Sequence, residues 1–126
     1  LRIACPKKYS PNKKILSWAK KNKVKLIVTT KPDEAVKGSD CVMTDKWVSM
    51  NDKVNKKAKK KILKPFQVNK KLMTKANSDA IFMHCLPVGR GEEVTDEVID
   101  GKQSVVWRQA LNRVHAQKSI IKWCLD

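Results

Sequence analysis

The chain has 126 residues with 28 Lys+Arg against 12 Asp+Glu, a formal net charge of +16, and is 41% hydrophobic and 32% charged. That length fits one domain able to bury roughly two-thirds of its unfolded surface, and the apolar share argues against a disordered chain. No apolar run approaches the roughly 18–20 residues of a membrane span, and Leu1-Arg-Ile-Ala-Cys does not read as a secretory leader.

In chain order, Leu1–Cys5 reads as an apolar strand closed by Pro6. A strand with no lead-in and no initiating Met suggests a piece of something larger. Ser10 and Pro11 offer an N-cap and a first-turn proline for a helix to about Asn22. Ile15, Leu16, Trp18 and Ala19 form its apolar stripe. Val24–Thr29 is a β-branched second strand, and Thr30 to Lys37 a short helix with Pro32 early and Gly38 as its stop. Asp40–Thr44 is a third strand. A Lys-rich helix then ends before Pro65, and a short helix runs from Asn69 to about Asn77. Ala80–His84 is a fourth strand, followed by a long turn with Pro87, Gly89 and Gly91. Thr95–Asp100 is a helical turn stopped by Gly101, Ser104–Trp107 a fifth strand, and Ala110 to Leu125 the last helix. Strands alternating with helices, apolar on both faces, predict an α/β domain whose parallel sheet is covered on both sides. Ligands of such sheets bind beyond the carboxyl ends of the strands, here after Cys5, Thr44 and His84.

Of the basic residues only Arg2, Arg90, Arg108 and Arg113 are Arg. The densest run, Lys53 to Lys64, holds no Arg and no aromatic residue, whereas nucleic-acid readers use Arg for bases and aromatics for stacking. Lys is scattered over the other segments as well, so a solvated helix face is the expectation and nucleic acid is not the expected partner. The positive field still suits an anionic small substrate. Cys5, Cys41, Cys85 and Cys124 lie far apart with no CxxC, which fits a reducing cytosol better than a zinc or disulfide scaffold.

Three stretches can carry chemistry. At His84-Cys85-Leu86-Pro87 a metal pair is a poor reading, because adjacent strand residues face opposite ways. A Cys nucleophile with a base, a binding thiol, and a structural Cys remain open. Pro87 biases Leu86 toward an extended backbone and frees its carbonyl for a ligand. Asp45, one residue past the third strand, can take an ammonium group, and Ser49 with nearby N–H groups a carboxylate; the plain alternative is a capping Asp beside a core Trp. Arg113 falls near the predicted start of the last helix, where the macrodipole disfavours a cation. That makes it either an anion clamp or a surface Arg.

Together these stretches closely resemble the C-terminal, ornithine-binding domain of the ornithine carbamoyltransferases. The likeness runs from LRIACPKKYSP through MTDKWVSM and MHCLPVGRGEEVTDEVIDG to QSVVW and NRVHAQKSI. HCLP marks carbamoyltransferases acting on amines, and D-x-W-V-S-M favours ornithine. The resemblance implies a Rossmann-like three-layer domain with a mostly parallel sheet. Residues 1–126 would be that domain, incomplete at its N-terminus and lacking its first strand–helix unit and the carbamoyl-phosphate domain. It implies transfer of a carbamoyl group from carbamoyl phosphate to L-ornithine, giving citrulline and phosphate in arginine biosynthesis, by a cytoplasmic homotrimer with no metal and no cofactor. Asp45 and Ser49 would hold the ornithine α-amino group, and the Met50 backbone its carboxylate. Cys85 would sit by the reacting amine, and the Leu86 carbonyl, Arg113 and His84 by carbamoyl phosphate. The chain departs from the family pattern at Asn51, Gly89 and Leu111. A basic polyanion-binding module or a catalytically degenerate paralogue on the same fold are the alternative readings.

Overall fold

A computed structural model describes residues 1–48 and 55–126. Among them the order is β1 (Arg2–Ala4), α1 (Lys13–Lys21), β2 (Ile27–Thr29), α2 (Pro32–Val36), β3 (Cys41–Thr44), α3 (Lys56–Leu63), α4 (Lys70–Met73), β4 (Ile81–His84), α5 (Asp96–Ile99) and α6 (Val106–Leu125). Local chemistry sets the boundaries. The side chains of Asn12, Asn55 and Asn69 accept the N–H groups of Lys14, Ala58 and Leu72 at 2.8, 3.2 and 2.9 Å, capping α1, α3 and α4. Asn12, rather than Ser10, therefore starts the first helix. Gly38, at φ +62°, turns the chain out of α2 where a side chain would be strained.

β1 pairs in parallel with β2, and β3 with β4, where Cys41 lies opposite Ile81 and Thr44 opposite His84. The α/β class is as expected, but the described strands make two two-stranded sheets rather than one continuous sheet. Their hydrogen bonds say which edges are open. Ile27 N–H donates to the Leu1 carbonyl and Cys5 N–H to the Thr29 carbonyl, both at 3.0 Å. In a parallel ladder alternate residues turn their backbone groups to opposite sides, so Arg2 and Ala4 face away from β2. Ile81 N–H donates to the Asp40 carbonyl at 3.0 Å, so Cys41 and Met43 face away from β4. Arg2, Ala4, Cys41 and Met43 line one cavity of about 240 Å³, and Ser39 Oγ in its wall is buried without a hydrogen-bond partner. The strands thus run β2, β1, gap, β3, β4.

The core lies against β3 and β4. Phe82, Val94, Ile99 and Val106 are fully buried and pack with Val36, Val42, Val68, Leu72, Met73 and Val98. Covering on both faces is not met throughout: Ile27 of β2 and Met43 of β3 are 57% and 58% exposed. Nor does the predicted strand at Ser104–Trp107 form. Ser104 makes a single bridge with Phe82, and α6 begins at Val106, which enters the core as a helical residue. From Leu111 onward every residue of α6 is exposed.

Candidate functional site

Asp45 and Cys85 each stand one residue beyond a strand end, on β3 and β4. Because Thr44 opposes His84, they are the next facing pair, and the Cys85 thiol donates to Asp45 Oδ1 at 3.0 Å. The same oxygen accepts Lys46 N–H at 2.6 Å. The thiol hydrogen bond, then the Lys46 N–H, lowers the Asp45 carboxyl below its ordinary range. Reciprocally, that hydrogen bond, burial and the carboxylate charge push the Cys85 thiol up, while the Arg113 guanidinium pulls it down. The pair therefore rests as a thiol donating to a carboxylate. Replacing Asp45 by Asn removes the charge that keeps the proton on sulfur. Alkylation of Cys85, followed by mass spectrometry of its peptide, should reach half-maximal rate at lower pH in Asp45→Asn than in wild type. An unchanged or higher midpoint would contradict the pairing.

His84 stands behind this pair, not beside it. Its side chain is wholly buried, Nδ1 accepts Leu86 N–H at 2.9 Å, and Nε2 lies 3.4 Å from Glu93 Oε1. Glu93, equally buried, also accepts Gly89 N–H through Oε1. The extended conformation expected of Leu86 is not adopted. Its φ is +58°, the Leu86–Pro87 peptide is cis, and its side chain packs against the core. The hydrogen bond to His84 and this apolar contact hold the left-handed turn. Gly89 fits here: a Cβ would meet Glu93 Oε2 at 2.7 Å.

Arg113 is the eighth residue of α6, too deep in the helix for an N-terminal dipole to act strongly. The case for it as a cation strained by the helix end is overturned by the earlier start of α6. What remains is its charge acting on Cys85. Ser49 and Met50, with Asn51, lie outside the described residues. Leu111 is exposed on α6. The cavity between β1 and β3 reaches Thr44 and Trp47 but is not lined by Asp45, Cys85 or Arg113. Among the described residues no three His, Cys, Asp or Glu side chains gather as a metal ion would need.

Sequence reasoning missed two residues of this region. Glu93 sits in an acidic pair whose other member, Glu92, forms an ion pair with Lys60. Only the need of a buried imidazole for an acid could have pointed to it. Gln109 accepts the His84 backbone N–H at 3.1 Å, and no motif marks it. The Lys-rich run is partly engaged within the fold, through Lys60 and through Lys64, which donates to the Gly91 carbonyl.

The family described as aspartate/ornithine carbamoyltransferase, Asp/Orn binding domain, matches residues 1–124. An ornithine carbamoyltransferase of Rhodopseudomonas palustris is 58% identical over 125 residues, covering 99% of this chain and 40% of that protein. One from Bradyrhizobium diazoefficiens is 54% identical over 126 residues, covering 100% of this chain and 41% of that protein. Among solved structures, the ornithine carbamoyltransferase of Pyrococcus furiosus superposes with a TM-score of 0.84 at 45% identity, over 95% of this chain and 40% of its own. The anabolic enzyme of Campylobacter jejuni gives 0.89 at 36% identity, over 98% and 42%. The chain thus spans about two-fifths of the length of these relatives.

Proposed function

The chain belongs to the aspartate/ornithine carbamoyltransferase family, and from that premise we propose that it carries the ornithine half of a carbamoyltransferase site. The longer protein moves the carbamoyl group of carbamoyl phosphate to the side-chain amine of L-ornithine, giving L-citrulline and phosphate. The observation that carries this reading is the Asp45–Cys85 pair, 3.0 Å apart at the carboxyl ends of β3 and β4.

The amine itself is the nucleophile, so no covalent intermediate is needed. An alkyl amine resembles Lys, and reaching its neutral form at pH 7 costs about 4–5 kcal/mol. Asp45 offers a carboxylate to the ornithine α-amino group, with Ser49 beside it and the Met50 backbone taking the carboxylate of the substrate. Cys85, held as a thiol by Asp45, orients the reacting amine. Negative charge builds on the carbamoyl oxygen as the tetrahedral carbon forms, and Arg113 stabilises it. The Leu86 carbonyl accepts from the carbamoyl NH₂, an obligate donor. His84, turned inward, acts by fixing the Leu86 turn rather than by touching substrate.

Residues 1–126 form an incomplete ornithine-binding domain in this reading. The facing open edges of β1 and β3, with the cavity between them, suit one more parallel strand from elsewhere in the longer protein. That strand would emerge beside Asp45 and complete the site. We propose further that the full-length protein works as a cytoplasmic homotrimer in arginine biosynthesis. No helix among the described residues is long and apolar enough to cross a membrane.

The test compares two proteins with ornithine and carbamoyl phosphate. The full-length protein should form citrulline and the isolated 126-residue chain none. Silence from the full-length protein would overturn the function. Citrulline from the isolated chain would overturn the incompleteness.

A further inference from the structure

β4 needs a partner on the edge away from β3. Since Ile81 faces β3, Phe82 and His84 face the other way. Phe82 is met there: its N–H donates to the Gln103 carbonyl at 2.8 Å, and its carbonyl accepts Val105 N–H at 3.0 Å. Had the chain continued as a strand, the Val105 carbonyl would have served His84. It turns into α6 instead, and that carbonyl accepts Gln109 N–H at 2.8 Å. The His84 N–H, on a residue only 1% exposed, would be left without an acceptor, which is costly for a buried donor. The Gln109 side chain supplies one at 3.1 Å.

Gln109 therefore replaces a rung of the sheet, and it lies four residues before Arg113, on the same face of the helix. Beyond it α6 is bare, exposed from Leu111 to the end of the chain. We infer that Gln109 is a positioning residue: by binding the last residue of β4 it fixes the height and rotation of α6 and so holds Arg113 over the Cys85–Leu86 turn. The inference deepens the carbamoyltransferase reading and rests on it for the role of Arg113. The influence of the Arg113 charge on the Cys85 thiol agrees with that placement.

The experiment uses the full-length protein with Gln109→Met, which keeps the length and removes the oxygen. Gln109→Asn, which draws the oxygen back by one methylene, serves if the first does not fold. KM for carbamoyl phosphate should rise about tenfold or more while KM for ornithine changes far less. The pH of half-maximal Cys85 alkylation should rise, as it should in Arg113→Met, with no further rise in the double variant. A wild-type alkylation profile in a folded Gln109 variant overturns the inference, as does an equal rise in both KM values. If the wild type forms no citrulline but the alkylation profiles couple as described, the function fails and the positioning stands.

Discussion

Asp45→Ala in the full-length protein is expected to lower kcat/KM for ornithine by about two orders of magnitude, and Cys85→Ala by about one. Asp45 and Cys85 are exposed in this chain alone; with substrate bound over them, truncating one member of a buried, hydrogen-bonded charge pair costs about 2–5 kcal/mol, and every 1.36 kcal/mol is about tenfold in rate. Asp45 holds the Cys85 thiol, and in the proposed function it also meets the substrate ammonium, so its removal would take away both the charge and the orientation of the thiol. Cys85 falls in a smaller class because its proton is held by the carboxylate. A thiol that orients an amine contributes a hydrogen bond worth roughly 0.5–1.5 kcal/mol; a thiolate acting as general base would contribute about 10²–10⁴-fold. Citrulline formation by the two variants separates these cases. If Cys85→Ala falls at least as far as Asp45→Ala, the thiol is the base and the orienting role is wrong. If both variants match wild type, neither residue belongs to the site.

The β3–β4 half of the site was legible because its signals are local. A strand end followed by Asp45 and another followed by Cys85 need only parallel pairing in register to meet, and alternation of strands with helices predicts that pairing. Other features were hidden for definite reasons. Val105, Val106 and Trp107 read as a strand by composition, yet a short apolar run does not separate a strand from a buried helix start. Val106 reaches the core as the first residue of α6, which places Arg113 two turns inside the helix rather than at its start. Pro87 alone predicts an extended Leu86, whereas a side chain two residues back sets its backbone. The gap between β1 and β3 was not legible from the described residues, since chain order states which strands exist and not where a space lies between them. Two open edges face that cavity. The Lys run, read as a solvated face, is one whose Lys60 and Lys64 tie α3 and the turn after it to the Gly91–Glu92 loop.

Glu93→Ala should destabilise the fold by about 1–3 kcal/mol, the range for leaving a buried polar group without its hydrogen-bond partner. The Gly89 N–H loses its acceptor, Glu93 Oε1, and His84 Nε2, buried without a hydrogen-bond partner, loses the carboxylate it faces at 3.4 Å. No solvent reaches either side chain to replace the carboxylate. Urea unfolding of the full-length protein, read from midpoint and slope, checks the size; a loss under about 1 kcal/mol would mean that water or a relaxed loop takes the place of Glu93. The double variant His84→Leu/Glu93→Leu sharpens the point. Replacing both members by apolar side chains of similar volume should recover much of the stability, since buried polar pairs contribute little net. It cannot recover the acceptors of the Leu86 and Gly89 N–H groups, so the recovery is partial. Stability and turnover should therefore part company: a double variant more stable than Glu93→Ala, yet poor in citrulline formation with KM for carbamoyl phosphate raised. If activity returns with stability, the His84–Glu93 pair serves the core alone, and the Leu86 turn holds itself.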